Sequence, residues 1–322
     1  MSFKDIKGQD RAVTFLKSSI ENNRLSHAYI FLGPSGIGKA LTALNFAKAL
    51  NCQSASGDRP CDECISCRKI DNLNHPDLFL LKPDKKGSSI GIDDIRALIK
   101  DITLKPYEAR KKVYIIDGAD HMTQQASNAL LKTLEEPQGD AILVLVAENL
   151  RALLPTIQSR VQVVRFFPLA PDEAKSILIE TYKIDDTRAH ILSRLSAGRI
   201  GEAVRYNDEG VFEERSGVIA RLIDDTFFDS DFNGVSREDF KVDLDIMLTW
   251  YRDILMAKAG SANAETLVNV DKSDEILKES LRKSFKYLDN AIRQIIATTY
   301  FLEENANPKL AMGVLGANIN EV

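Results

Sequence analysis

The residues able to do chemistry fall in three places. Gly33-Pro34-Ser35-Gly36-Ile37-Gly38-Lys39-Ala40 sits between an apolar run and a helical pattern. Set against G-x-x-x-x-G-K-[ST], it is a phosphate-binding loop in which Gly33, Gly36 and Gly38 let backbone N–H groups turn toward a phosphate and Lys39 supplies a point charge. Its last residue is Ala40, which has no hydroxyl for a magnesium ion. Asp117 closes the apolar run Val113-Tyr114-Ile115-Ile116, and a carboxylate at the C-terminal end of a buried parallel strand can organise magnesium. The four cysteines are Cys52, Cys61, Cys64 and Cys67. One cysteine ahead of a C-x2-C-x2-C spacing can close a tetrahedral thiolate site, read here as a structural zinc with no coordination position left for catalysis. Clustered in one short stretch, they suit a metal site in a reducing compartment better than a disulfide framework.

These groups need a scaffold, and the apolar patterning supplies one. Val13, Leu16 and Ile20 recur at helical spacing ahead of a strand at 27–32, and a helix at 41–50 follows the glycine loop. Residues 77–81 read as a buried strand, and Ile95, Leu98, Ile99 and Ile102 mark a helix ended by Lys105-Pro106. Strands at 113–117, 141–146 and 161–166 alternate with a helix at 124–134, which predicts an α/β fold with a parallel sheet. His121 reads as a surface or capping residue. Residues 167–171 look like a linker, and beyond Asp172 the strand signal ends. The rest is helical, with an acidic, Phe-rich loop near 224–233 and Trp250-Tyr251 as core packing. Leu277, Leu281, Phe285, Leu288, Ile292 and Ile295 predict one long apolar stripe packed within a bundle.

Composition narrows the class. At 322 residues, with 44% hydrophobic and 28% charged residues, the chain can bury two or three cores and is not a disordered protein. A net charge of −5 argues against a chain that coats nucleic acid by itself. Residues 1–17 lack the apolar core of a signal peptide, and no apolar run approaches the about 18 residues needed to span a bilayer. The expectation is a cytoplasmic protein without a membrane partner.

Taken together, the chain resembles the AAA+ subunits of bacterial clamp loaders over nearly its whole length. The likeness rests on the loop at 33–39, the cysteine module, Tyr114-Ile115-Ile116-Asp117, and the run Asn128-Ala129-Leu130-Leu131-Lys132-Thr133-Leu134-Glu135-Glu136-Pro137. It continues through residues 154–160 and 305–311. The resemblance implies an AAA+ P-loop αβα sandwich over 1–168, with the four-cysteine zinc module inserted at about 52–67. A helical lid at 169–207 and an all-α collar for oligomerisation at 208–322 would follow. The implied partners are other loader subunits, of gamma/tau and delta type, with the sliding clamp and primed DNA reached through the complex. That complex belongs to the holoenzyme of a DNA-directed DNA polymerase, a nucleotidyltransferase.

In this family a Ser-Arg-Cys element carries an arginine finger for a neighbour's ATP site, and Ser159-Arg160-Val161 matches it without the cysteine. The other departures strike the chain's own site. Ala40 replaces the magnesium-binding hydroxyl, Gly118 the acid after Asp117, Ala147 the sensor threonine and Gly201 the lid arginine, with Arg199 nearby but out of register. The reading is a member without ATPase activity of its own, its ATP binding in question, serving the neighbour through Arg160. The rival is an ATP-hydrolysing gamma/tau-type motor, against which the losses and the lack of a long tail after Val322 count. A DNA-binding module working alone is disfavoured by the acidic balance.

Overall fold

The computed structural model describes residues 2–54, 59–83, 88–137, 139–229, 232, 235–263, 265–304 and 306–320. Asn233, Asn305 and Val322, which entered the reading above, lie outside the described residues. The chain divides into two compact units, Met1–Pro168 and Leu169–Val322.

In the first unit, β1 (Ala28–Leu32), β2 (Leu78–Leu81), β3 (Lys112–Asp117), β4 (Ala141–Ala147) and β5 (Gln162–Arg165) form one parallel sheet in the order β2-β3-β4-β1-β5. Parallel neighbours need crossover segments, and helices α1 (Asp10–Glu21), α2 (Lys39–Asn51), α3 (Ile65–Asp71), α4 (Ile92–Ile102), α5 (Gln124–Glu135) and α6 (Pro155–Gln158) lie between and before the strands. Side chains alternate across each strand, so both faces of the sheet require cover. Tyr29 and Phe31 pack with Leu16, Phe46 and Leu50 on one face. Ala28, Ile30 and Leu32 pack with Ile95, Leu98, Leu130 and Ile157 on the other. The result is the α/β fold with a parallel sheet that the alternating pattern predicts, in the αβα layering that the resemblance implies.

One reading of the strands needs correction. Residues 77–81 were expected to be buried, but β2 is half-buried throughout because it is an edge strand with only β3 beside it. Asp77, just ahead of it, is buried and accepts N–H bonds from Tyr107 at 2.7 Å and from Glu108 and Ala109 at 2.8 Å.

The second unit is helical: α7 (Pro171–Tyr182), α8 (Asp186–Leu195), α9 (Ile200–Asp208), α10 (Val211–Ile223), α11 (Arg237–Lys258), α12 (Ser273–Arg282), α13 (Phe285–Glu303) and α14 (Pro308–Asn320). One contiguous apolar core runs from Leu178 to Ile319, with Trp250 and Tyr251 inside it. The long stripe predicted over 277–295 is broken. Ser284 accepts the Tyr287 N–H at 3.1 Å and so starts a new helix, and the rotation leaves Leu277, Leu281 and Phe285 exposed while Ile276 and Ser280 turn inward. Among the described residues, no helix is long and apolar enough to cross a membrane.

The three N–H groups on Asp77 make a pH-dependent contribution. Burial pushes its carboxyl up, but the N–H groups of Glu108, Tyr107 and Ala109 outweigh burial and hold the pKa below the usual carboxylate range. A depressed folded-state pKa means stability that is present above about pH 4 and lost as pH falls through the folded value. Asp77→Asn, offering one acceptor oxygen to three donors, is expected to lower stability by about 2 kcal/mol in urea unfolding at pH 7. The deficit should narrow below about pH 4, where wild-type Asp77 also becomes protonated.

Candidate functional site

Strand register decides what meets at the C-terminal edge of the sheet. Leu32 pairs with Ala147, and Asp117 with Val146. The ladder continues one residue further on each side: Gly33 N–H donates to Ala147 at 3.2 Å and Gly118 N–H to Val146 at 3.1 Å. The loop after β1 therefore faces the ends of β3 and β4 across a cleft of about 230 Å³. Gly36, Gly38, Lys39 and Ala40 line it from the loop, and Asp117, Gly118, Asp120, His121, Ala147 and Glu148 from the strand ends. Gly33 lies behind the loop, where a Cβ would stand 2.5 Å from the Phe166 carbonyl oxygen, so no side chain fits there.

Lys39 is turned onto its own loop. The residue is 6% exposed, and its Nζ donates to the carbonyl oxygens of Pro34, at 2.5 Å, and Gly33. Burial lowers its pKa, and the nearby carboxylates of Glu148, Asp120 and Asp117 oppose that shift. Asp117 is raised by burial, against the pull of Lys39 and Lys82 and with the push of Asp120. Asp120 Oδ2 accepts N–H bonds from Glu148 at 2.9 Å and Asn149 at 3.1 Å, while its Oδ1 is buried with no hydrogen-bond partner among the described residues. Sequence reasoning missed Asp120 and Glu148. Each lies just past a strand end, in a turn that the apolar pattern does not cover.

Ala40, Gly118 and Ala147 are brought together in this one cleft. Gly118 has a further reason to be glycine, since its φ is +83°, a backbone conformation strained for any other side chain. Gly201 and Arg199 belong to the second unit. Arg199 is engaged there, its Nε donating to the Ser196 carbonyl at 2.8 Å and its Nη2 lying 3.7 Å from Asp245. A phosphate entering the cleft would meet backbone amides, one lysine already engaged, and three carboxylates.

Arg160 is not part of the cleft lining. It follows α6, and its Nη1 donates to the Thr156 carbonyl at 2.8 Å and the Ser159 hydroxyl at 3.1 Å. Its Nη2 lies 2.8 Å from Glu135 Oε1, and a third of the side chain is open to water.

The four cysteines converge as their spacing predicts. Their sulfurs lie within 4.8 Å of one another. Four thiolates about 2.3 Å from a tetrahedral ion stand under 4 Å apart, so the set fits a metal ion after slight contraction. Cys64 caps α3 and accepts the Cys67 N–H at 3.5 Å, while Cys61 accepts the Cys64 N–H at 3.4 Å. Burial alone would raise the Cys64 thiol, but N–H groups of Gln53 and Cys67 and the neighbouring thiols bring it down to about 6. Burial pushes Cys52 and Cys67 up. Lys48, wholly buried in the last turn of α2, pairs with Asp62 inside the cysteine loop and with Asp71 of α3 at 2.9 Å. Burial alone would lower its pKa, but Asp62 and Asp71 hold it charged and above its usual range.

A phosphate-loop pattern ending in Ala40, carried on a parallel αβα sheet and joined to a cysteine cluster, defines the class: a P-loop-type α/β module. Residues 8–170 match the family described as DNA polymerase III, delta subunit, and residues 232–315 match its C-terminal counterpart. The chain belongs to the DNA polymerase III delta subunit family. It is 35% identical over 312 residues to the DNA polymerase III subunit delta' of Bacillus subtilis (strain 168), covering 93% of this chain and 92% of that one. A delta' subunit from Pseudomonas aeruginosa is 36% identical over 197 residues, 60% of either chain. The tau subunit of Bacillus subtilis is 32% identical over 214 residues, 65% of this chain and 38% of its own.

Metal ligation requires deprotonated sulfur, so uptake should release protons and weaken on acidification. Protein purified without chelator is expected to carry one thiophilic ion per chain by elemental analysis, and Cys64→Ser to carry substoichiometric metal. Four freely titratable thiols and no metal would remove the site.

Proposed function

We propose that the chain is a delta prime-type subunit of the DNA polymerase III clamp loader, without ATP turnover of its own, which supplies Arg160 to the ATP site of an adjacent gamma/tau-type subunit. The observation that carries this reading is the contrast within the first unit. Ala40, Gly118 and Ala147 leave one cleft without the hydroxyl, acid and threonine that the resemblance implies at those positions, whereas Arg160 stands outside that cleft with its guanidinium partly open to water. An arginine delivered in trans contributes about 10³–10⁵-fold to phosphoryl transfer by stabilising charge on the transferred group. Its retention beside an emptied site is what a service role predicts. The match over 93% of this chain to a delta' relative, against 65% to a tau relative, supports the same side.

In this reading zinc fills the Cys52, Cys61, Cys64 and Cys67 site as a structural ion. Residues 169–207 act as a lid and 208–322 as the collar that joins the gamma/tau and delta subunits. The complex then acts on the sliding clamp and primed DNA during replication, in the cytoplasm.

The test is reconstitution with the gamma/tau and delta subunits, clamp and primed DNA. Arg160→Ala is expected to lower turnover at the site it serves by about 10³-fold, with the complex still assembled. Full turnover in the assembled variant would refute the trans role. The isolated chain should hydrolyse ATP only at background, and Ala40→Thr with Gly118→Glu should not restore hydrolysis, because the turn at 118 strains a side chain and Lys39 stays on its loop. Robust turnover by the isolated wild-type chain would favour a motor instead.

A further inference from the structure

We infer that Glu135 is a positioning residue for Arg160: it holds the guanidinium in one orientation through an ion pair weak enough to be exchanged for a phosphate. The inference rests on the trans role proposed above. Three anchors converge on this one side chain. Thr156 and Ser159 take both contacts of Nη1, Glu135 lies 2.8 Å from Nη2, and Nε makes no hydrogen bond among the described residues.

The anchors sit on fixed elements. Ile157 is wholly buried, and Gln158 ties α6 down through the carbonyls of Leu150 at 2.8 Å and Leu153 at 2.9 Å. At the end of α5, Leu134 is buried and its carbonyl oxygen lies 3.1 Å from His27 Nε2. Both partners of the pair are therefore carried on backbone tied to the core by buried side chains and hydrogen bonds.

The position of Glu135 is otherwise hard to account for. It is the last residue of α5, where the negative end of the helix dipole disfavours a carboxylate, and Glu136 follows it. Helix stability does not call for an acid there. An arginine 25 residues further on does, and the pair joins them.

Exposure makes the pair exchangeable. Arg160 is 33% and Glu135 48% open to water, a regime in which an ion pair adds little net stability. A triphosphate oxygen cluster, more highly charged than one carboxylate, can take over Nη2 and Nε. What Glu135 supplies beforehand is order: a long side chain already restricted loses less conformational freedom when it meets its phosphate.

The experiment is a double-mutant cycle in the reconstituted loader with clamp and primed DNA. Glu135→Ala is expected to lower kcat by about tenfold, as loosening a positioned charge does, with KM for ATP and complex assembly unchanged. Because Glu135 acts through Arg160, Glu135→Ala should cause no further loss in the Arg160→Ala background. An unchanged kcat for Glu135→Ala, while Arg160→Ala lowers it, would overturn the inference, as would an equal additional loss in the double variant. Turnover insensitive to Arg160→Ala would instead remove the trans reading itself, and the role of Glu135 with it. Thermal unfolding of each variant chain checks that the changes stay local.

Discussion

The backbone ladder that joins β1 to β4 and β4 to β3 is the constraint on which the rest depends. It is dry on both faces, so its register cannot slip by one residue without turning Phe31 and Tyr29 into the layer now held by Ile30. With register locked, the ends of three strands arrive level, and whatever follows each strand is delivered to the same edge. The glycine loop, Asp117 with Gly118, and Ala147 with Glu148 share a cleft for this reason and no other. The cleft is well built, and Ala40, Gly118 and Ala147 line it without disturbing the ladder.

Charge in that cleft follows from the same placement. Lys39 is drawn to the carbonyl oxygens of its own loop while Asp117, Asp120 and Glu148 stand near it. The opposite holds around α6, where Arg160 is held by Thr156, Ser159 and Glu135 with a third of its side chain open to water. The first unit therefore keeps one cation folded inward and presents another outward.

Much of this was legible in the residues, and the rest was hidden for identifiable reasons. Apolar runs at β1, β3 and β4 and helical spacing at α2 and α5 predict the sandwich because those elements are covered by their neighbours along most of their length. The edge position of β2 was not legible, since Leu78 to Leu81 read alike whether one strand or two lie beside them. The break before α13 was masked by a periodicity that runs through it, and only the Ser284 cap stops the helix. Cys52, Cys61, Cys64 and Cys67 were found by spacing alone, and the fold brings their sulfurs within 4.8 Å of one another. Asp120 and Glu148 escaped because turns carry them, and the pairing of Glu135 with Arg160 because only the packing of α5 near α6 brings them together.

Helix α2 has the phosphate loop at one end and the cysteine cluster at the other, with Gly38 capping its start and Cys52 its finish. Its 13 residues make a rod about 20 Å long. Lys48 clamps the far end to the cysteine loop from a fully buried position. A metal ion held there would do more than knit a small insertion: it would anchor the butt of the rod whose tip is Lys39, and slack in the cysteine module would reach the loop as tilt along the helix axis. Two features separate along the chain are carried on one helix.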